Sequence, residues 1–200
     1  MQIDPEGRAA GGISGFLEFV VLNLLFLVTC LPVVTIGAAL SALFEVTMRY
    51  SDDERGRPLP DYLPAFKRNF RQASLVMLAL GLPAVVLLFS ALFWVFQGSM
   101  VSVIWGAFAA LAAAYLAVAF MYGEALVARY RNTTRQTLRN ALLLPGAEPV
   151  RTMALALIPA TVVALAVLFP PVWFLVATVG FSFGSYAAAF LLRHIFSRHA

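Results

Sequence analysis

Three apolar blocks, each longer than one membrane crossing and each broken near its middle, constrain this chain more than any other feature. They run from about Phe16 to Met48, from Ala73 to Arg129 and from Thr152 to Leu192. As a single helix rising 1.5 Å per residue, even the shortest would measure roughly 50 Å, against a hydrocarbon core of about 30 Å. The first is interrupted at Leu31-Pro32-Val33-Val34-Thr35-Ile36-Gly37, where Pro32 cannot donate to a helix ladder and disfavours helix at Leu31. Gln97-Gly98-Ser99-Met100 breaks the second and Pro170-Pro171 the third. The pattern predicts about six spans, near 16–31, 35–48, 73–96, 102–128, 152–169 and 172–192. The number is five if the first block crosses once and then re-enters or lies in plane.

Composition excludes a water-soluble reading of these blocks. Hydrophobic residues make up 62% of the 200 residues and charged residues 12%, against roughly 45–50% and about 25% in soluble domains. With so little charge to cover a surface, the apolar excess must face lipid. The expected fold is therefore all-α, a single polytopic transmembrane helical bundle over residues 1–200 with short amphipathic cytoplasmic helices. The start does not read as a cleaved leader, because Met1–Gly15 carries Asp4 and Glu6 beside Arg8 and the apolar run continues to about Tyr50. A lone cysteine, Cys30, offers neither a disulfide nor a metal cluster within the chain.

Charge placement orients the bundle. The basic residues fall at Arg8, in the loop from Arg49 to Arg71, in the loop from Arg129 to Arg151, and at Arg193 and Arg198, with none in the three turns. The positive-inside rule puts both basic loops and both termini in the cytoplasm and the Pro32, Gln97 and Pro170 turns outside. Beside so many spans, these loops read as orientation signals that meet anionic lipid rather than nucleic acid. Each holds an amphipathic segment. Tyr62, Phe66 and Phe70 recur at helical spacing beside Lys67 and Arg68, and Thr137–Leu142 repeats the theme. Blocks two and three thus look like two copies of one unit.

Few residues offer chemistry. Gly180-Phe181-Ser182-Phe183-Gly184 spells a nucleophile elbow, but inside a membrane helix, with His194 about 18 Å further along. Gly180, Gly184 and Ala188, like Gly106, Ala110 and Ala114, instead suit close helix packing, within the chain or in a homo-oligomer. Glu18, Glu45 and Glu124 are the carboxylates inside the apolar blocks, all near the expected cytoplasmic boundary, where each can reach the interface or pair with Arg49, Arg129 or a neighbour. Asn23 is the strong polar group deep in the first span, placed to bond across helices or to carbonyls freed by Pro32. Trp94, Trp105 and Trp173 suit the outer boundary. There is no Walker loop, H-E-x-x-H or C-x-x-C, and no catalytic residue, cofactor or metal site is expected.

Asn23, the stretch Leu31-Pro32-Val33-Val34-Thr35-Ile36-Gly37-Ala38-Ala39, and Ala65-Phe66-Lys67-Arg68-Asn69-Phe70-Arg71-Gln72-Ala73 together resemble the YesL-like family of bacterial integral membrane proteins, domain of unknown function 624. The resemblance marks Asn23, Pro32, Thr35, Gly37, Phe66, Lys67, Asn69 and Phe70 as motif residues. It implies a plasma-membrane protein, non-enzymatic, that accompanies carbohydrate ABC importers and meets their permease or ATPase subunits. The alternative expectation is a self-contained or oligomeric transporter or channel subunit for a small solute. Separately, Glu124-Ala125-Leu126 through Leu144-Pro145 resembles the coupling loop of importer permeases in length and end residues, without the glycine that such loops carry after their start.

Overall fold

The computed structural model describes the backbone of residues 5–53 and 57–199, and the side chains of 15–51, 57–193 and 195–196. Helices account for nearly all of these residues, and no strand occurs among them. The side chains of Asp52, Asp53, Glu54 and His194 lie outside those described.

Helix α1 (Pro5–Cys30) ends at the Pro32 break, and a 3₁₀ turn over Val33–Thr35 leads into α2 (Ile36–Asp53). Proline removes one backbone donor here, and the Thr35 hydroxyl closes the turn by donating to Thr29 O and Pro32 O, both at 2.5 Å. Helix α3 (Pro58–Val76) continues through a π-helical stretch, Met77–Gly81, into α4 (Leu82–Val95), giving 38 unbroken helical residues. Widening the ladder just before Pro83 accommodates a residue that has no N–H to donate. Gly98 turns the chain with φ +72°, and Ser99 and Ser102 form a reciprocal capping box at the start of α5 (Met100–Arg129). Helix α6 (Thr134–Ala147) precedes α7 (Pro149–Leu168). Beyond Pro170-Pro171 a short α8 (Val172–Leu175), a second π stretch (Val176–Gly180) and α9 (Phe181–His199) form the last apolar helix.

Five helical segments are long and apolar enough to cross a bilayer, namely Val33–Ser51, Pro58–Val95, Met100–Arg129, Pro149–Leu168 and Val172–Arg193, and the shorter apolar Gly15–Cys30 accompanies them. Their outer faces carry exposed large apolar side chains, among them Phe89, Phe108, Leu111, Val167 and Phe174, as lipid-facing surfaces require. The core gathers where α2, α3, α5 and α9 cross, around Phe44, Met48, Val76, Tyr122, Leu126, Leu192 and Phe196. A second cluster joins α1 to α2 and α3 through Leu22, Phe26, Leu43, Val46 and Tyr62.

Several expectations change. The amphipathic segment at 62–70 is not a separate loop helix but the first half of the 38-residue helix. Its buried stripe is Tyr62, Ala65, Asn69, Ala73 and Val76, rather than Tyr62, Phe66 and Phe70. Small residues win that face because α2 packs closely there, leaving Phe70 exposed and Phe66 at the rim, their rings 5.8 Å apart. The likeness of blocks two and three also ends here, since α6 is separated from α7 at Glu148 whereas α3 runs straight into α4. The tip of the α1–α2 hairpin moves as well. Ser74 Oγ donates to Val34 O at 3.3 Å, and Ser74 stands about 31 Å of helix rise from Val95, the end of α4 before the Gln97 turn. The Pro32 and Gln97 turns therefore lie at different heights, not on one face.

Packing small residues follow the same logic of close approach. Gly106 is buried, and a Cβ there would stand 2.9 Å from Val95 Cγ2 and 3.1 Å from Ala91 O, whereas Ala110 and Ala114 are exposed. Ala188 is buried in the core. Gly180 and Gly184 instead line an apolar cavity of about 410 Å³ between α7 and α9, and a Cβ on Gly184 would meet nothing nearer than Ile158 Cγ2 at 3.9 Å. They do not bring two backbones together.

Candidate functional site

At the crossing of α2, α3 and α5 the motif residue Asn69 meets Ser41, Glu45 and the main chain of Glu124. Along α2, Gly37, Ser41, Glu45 and Arg49 recur every four residues and so share one face. Asn69, buried on α3, donates through Nδ2 to Ser41 Oγ at 3.3 Å and to Glu45 Oε2 at 2.9 Å. Ser41 Oγ in turn donates to the main-chain carbonyl of Glu124 on α5 at 3.2 Å. Glu45 is itself buried, and its Oε1 accepts from Arg49 at 2.6 Å and from Arg68. Each acceptor in this chain thus has a donor, which is what makes burial of Glu45 tolerable.

Glu124 behaves differently. It was expected to pair with an arginine or reach the interface, yet it is fully buried and neither carboxylate oxygen has a hydrogen-bond partner among the described residues. On the inward face of α5 it stands against Gly37 of α2. A Cβ on Gly37 would stand 3.0 Å from Glu124 Oε1 and 2.6 Å from Ala73 O. Glu18, the third carboxylate, is exposed on α1.

Above this crossing opens a polar cavity of about 400 Å³, lined by the Glu45 network, Gln72, and the end of α5 with the following turn, Arg129 to Asn132. Gln72 Nε2 braces the turn by donating to Asn132 O and Thr137 Oγ1, both at 3.0 Å. Arg49, Arg68, Arg129 and Arg131 come from three separate stretches of chain and meet here. Ser41 and Asn132 were not singled out beforehand, and Arg68 and Gln72 stood in the motif stretch without a role of their own. The four-residue spacing of Gly37, Ser41, Glu45 and Arg49 was the available signal.

Other motif residues have structural roles. Asn23 is buried against the second π stretch. It donates to Val176 O at 3.3 Å and Ala177 O at 2.7 Å, and accepts from Phe181 N at 2.9 Å and Ser182 N at 3.1 Å. It bonds across helices, while the carbonyls of the turn before Pro32 are served locally, Val28 O by Leu31 N–H and Thr29 O by the Thr35 hydroxyl. Ser182 donates to Phe19 O and Val179 O at 3.0 Å and is buried in a helix, so the strand–turn–helix geometry of a nucleophile elbow is missing. Lys67 is exposed. Trp94, Trp105 and Trp173 are exposed at the helix ends remote from the arginine cavity. No group of three His, Cys, Asp or Glu converges among the described residues.

An all-α bundle with several helices apolar and long enough to span a bilayer, and arginines gathered at one end, defines a multi-pass membrane protein. Within that class, residues 19–91 match the family described as "Protein of unknown function, DUF624", the family read from the sequence. The matched segment holds Asn23, Gly37, Ser41, Glu45 and Asn69, and so contributes the α2 and α3 sides of the site. No curated protein and no solved structure matches the chain.

Proposed function

We propose that this YesL-like protein is an accessory component of a bacterial carbohydrate ABC import system, seated in the plasma membrane with its termini and arginine-rich end in the cytoplasm. On this reading it has no chemistry of its own and meets a permease or ATPase subunit through α6. The observation that carries the reading is α6 itself. Its inner face, Thr137, Ala141 and Leu144, is buried, while Arg135, Gln136, Arg139 and Leu143 are exposed. A helix anchored by an apolar face and offering a polar one is what a coupling segment between two spans needs. The carbohydrate assignment is supported by the family resemblance.

Cysteines placed at Arg135 and Arg139, with Cys30 changed to serine, test the contact. Crosslinking to an importer ATPase or permease subunit is the expected outcome, and its failure with correctly inserted protein removes the reading. The unpartnered Glu124 within a spanning helix favours the second reading, a self-contained transporter. Purified protein in liposomes separates the two. Sugar uptake without partners supports the transporter, and uptake only beside an importer supports the accessory role.

A further inference from the structure

The geometry points to a binding site for a phosphate group, carried by a phospholipid or a soluble ester, in the arginine cavity between α2, α3 and the α5–α6 turn. Four arginines, Arg49, Arg68, Arg129 and Arg131, line a space of about 400 Å³ in which Glu45 is the one carboxylate among the described residues. That carboxylate is already engaged by Arg49, Arg68 and Asn69, so it steadies two arginines without neutralising the cavity. Arg49, Arg68 and Arg131 set against Glu45 leave an excess of two positive charges. Arg131 is exposed and has no partner among the described residues.

The donor set suits phosphate. Guanidinium forks match phosphate oxygens two at a time, and charge-assisted bonds of this kind are stronger than neutral ones. The N–H groups of Arg131 and Asn132 in the turn also donate to no acceptor among the described residues. They add main-chain donors beside the arginines, as anion sites formed by backbone turns do. The turn is held in place by Gln72, whose amide donors are both spent on Asn132 O and Thr137 Oγ1, so it is braced before any ligand arrives. The cavity stands where α5 leaves its apolar stretch, the height at which phospholipid headgroups lie. This site does not depend on the importer partnership.

Full-length protein in phosphatidylcholine nanodiscs provides the test, in two arms read by thermal unfolding. One arm adds inorganic phosphate at constant ionic strength, and the other replaces part of the lipid with phosphatidic acid. Stabilisation in either arm that weakens about tenfold in apparent affinity in Arg131→Gln, but not in Arg135→Gln, supports the site. Arg135 is exposed on α6 and does not line the cavity. Response to phosphatidic acid alone identifies a lipid headgroup, and response to free phosphate identifies a soluble ester. No stabilisation in either arm overturns the proposal. So does an equal loss in both variants, which would report only the general positive charge of that end.

Discussion

Gly37 on α2 faces Glu124 on α5 so closely that the space a Gly37 Cβ would need lies 3.0 Å from the Glu124 carboxylate. The same point is 2.6 Å from the main-chain oxygen of Ala73 and 2.9 Å from Met77 Cβ. The missing side chain is therefore what lets three helices cross at one place, and it leaves the Glu124 carboxyl inside the contact with no polar partner among the described residues.

Gly37→Ala should lower stability by about 1–3 kcal/mol, the usual cost of overpacking a core. In an exposed helix the same change would help by about 1 kcal/mol, so the sign is diagnostic. Thermal unfolding in mild detergent reads it, and a rise in midpoint would mean that α2 does not approach α3 this closely.

Replacing Glu124 by methionine, of similar length and apolar, should stabilise the protein by about 1–3 kcal/mol, the cost of leaving buried polar atoms unpaired. If the variant is instead less stable, Glu124 has a partner that its surroundings do not display. Transport or importer assays on the same variant then report whether the carboxyl is kept for function.

Asn23→Leu should cost about 2–4 kcal/mol, because it strands the Val176 and Ala177 carbonyls and the Phe181 and Ser182 amides in an apolar setting. Hydrogen–deuterium exchange should quicken locally at 176–182. A loss below about 0.5 kcal/mol would show that the π stretch satisfies itself.

Double-mutant cycles around Glu45 should rank its two arginines. Arg49 lies one helical turn away on the same helix with 53% of its side chain exposed, whereas Arg68 reaches across from α3 with 38% exposed. Both couplings are discounted by solvent. About 0.3–0.5 kcal/mol is expected for Arg49 and about 1 kcal/mol for Arg68. Equal values, or a reversed order, would contradict the arrangement.

Cysteine labelling from outside intact cells should modify Ser99→Cys and Pro171→Cys but spare Val34→Cys, all in a Cys30→Ser background. The contact between Ser74 and Val34 sets that difference. Equal labelling of all three would place the Pro32 turn on the outer surface.

Local and one-dimensional properties were legible in the sequence. Apolar length, the breaks at Pro32, Gly98 and Pro170, and the grouping of arginines depend on residue type along the chain, and hydropathy and backbone chemistry act on them directly. So did Asn23, because a lone amide in an apolar span needs partners wherever it lies. What the tertiary structure decided was which faces meet and how deep each charge sits. Glu45 and Glu124 look alike as strings, each a few residues before an arginine, yet one is surrounded by donors and the other stands against Gly37. Rotation about a helix axis, set by where Ala65, Asn69 and Ala73 allow α2 to approach, separates them. Burial of a carboxylate depends on neighbours tens of residues away, and only the packed helices bring those neighbours together.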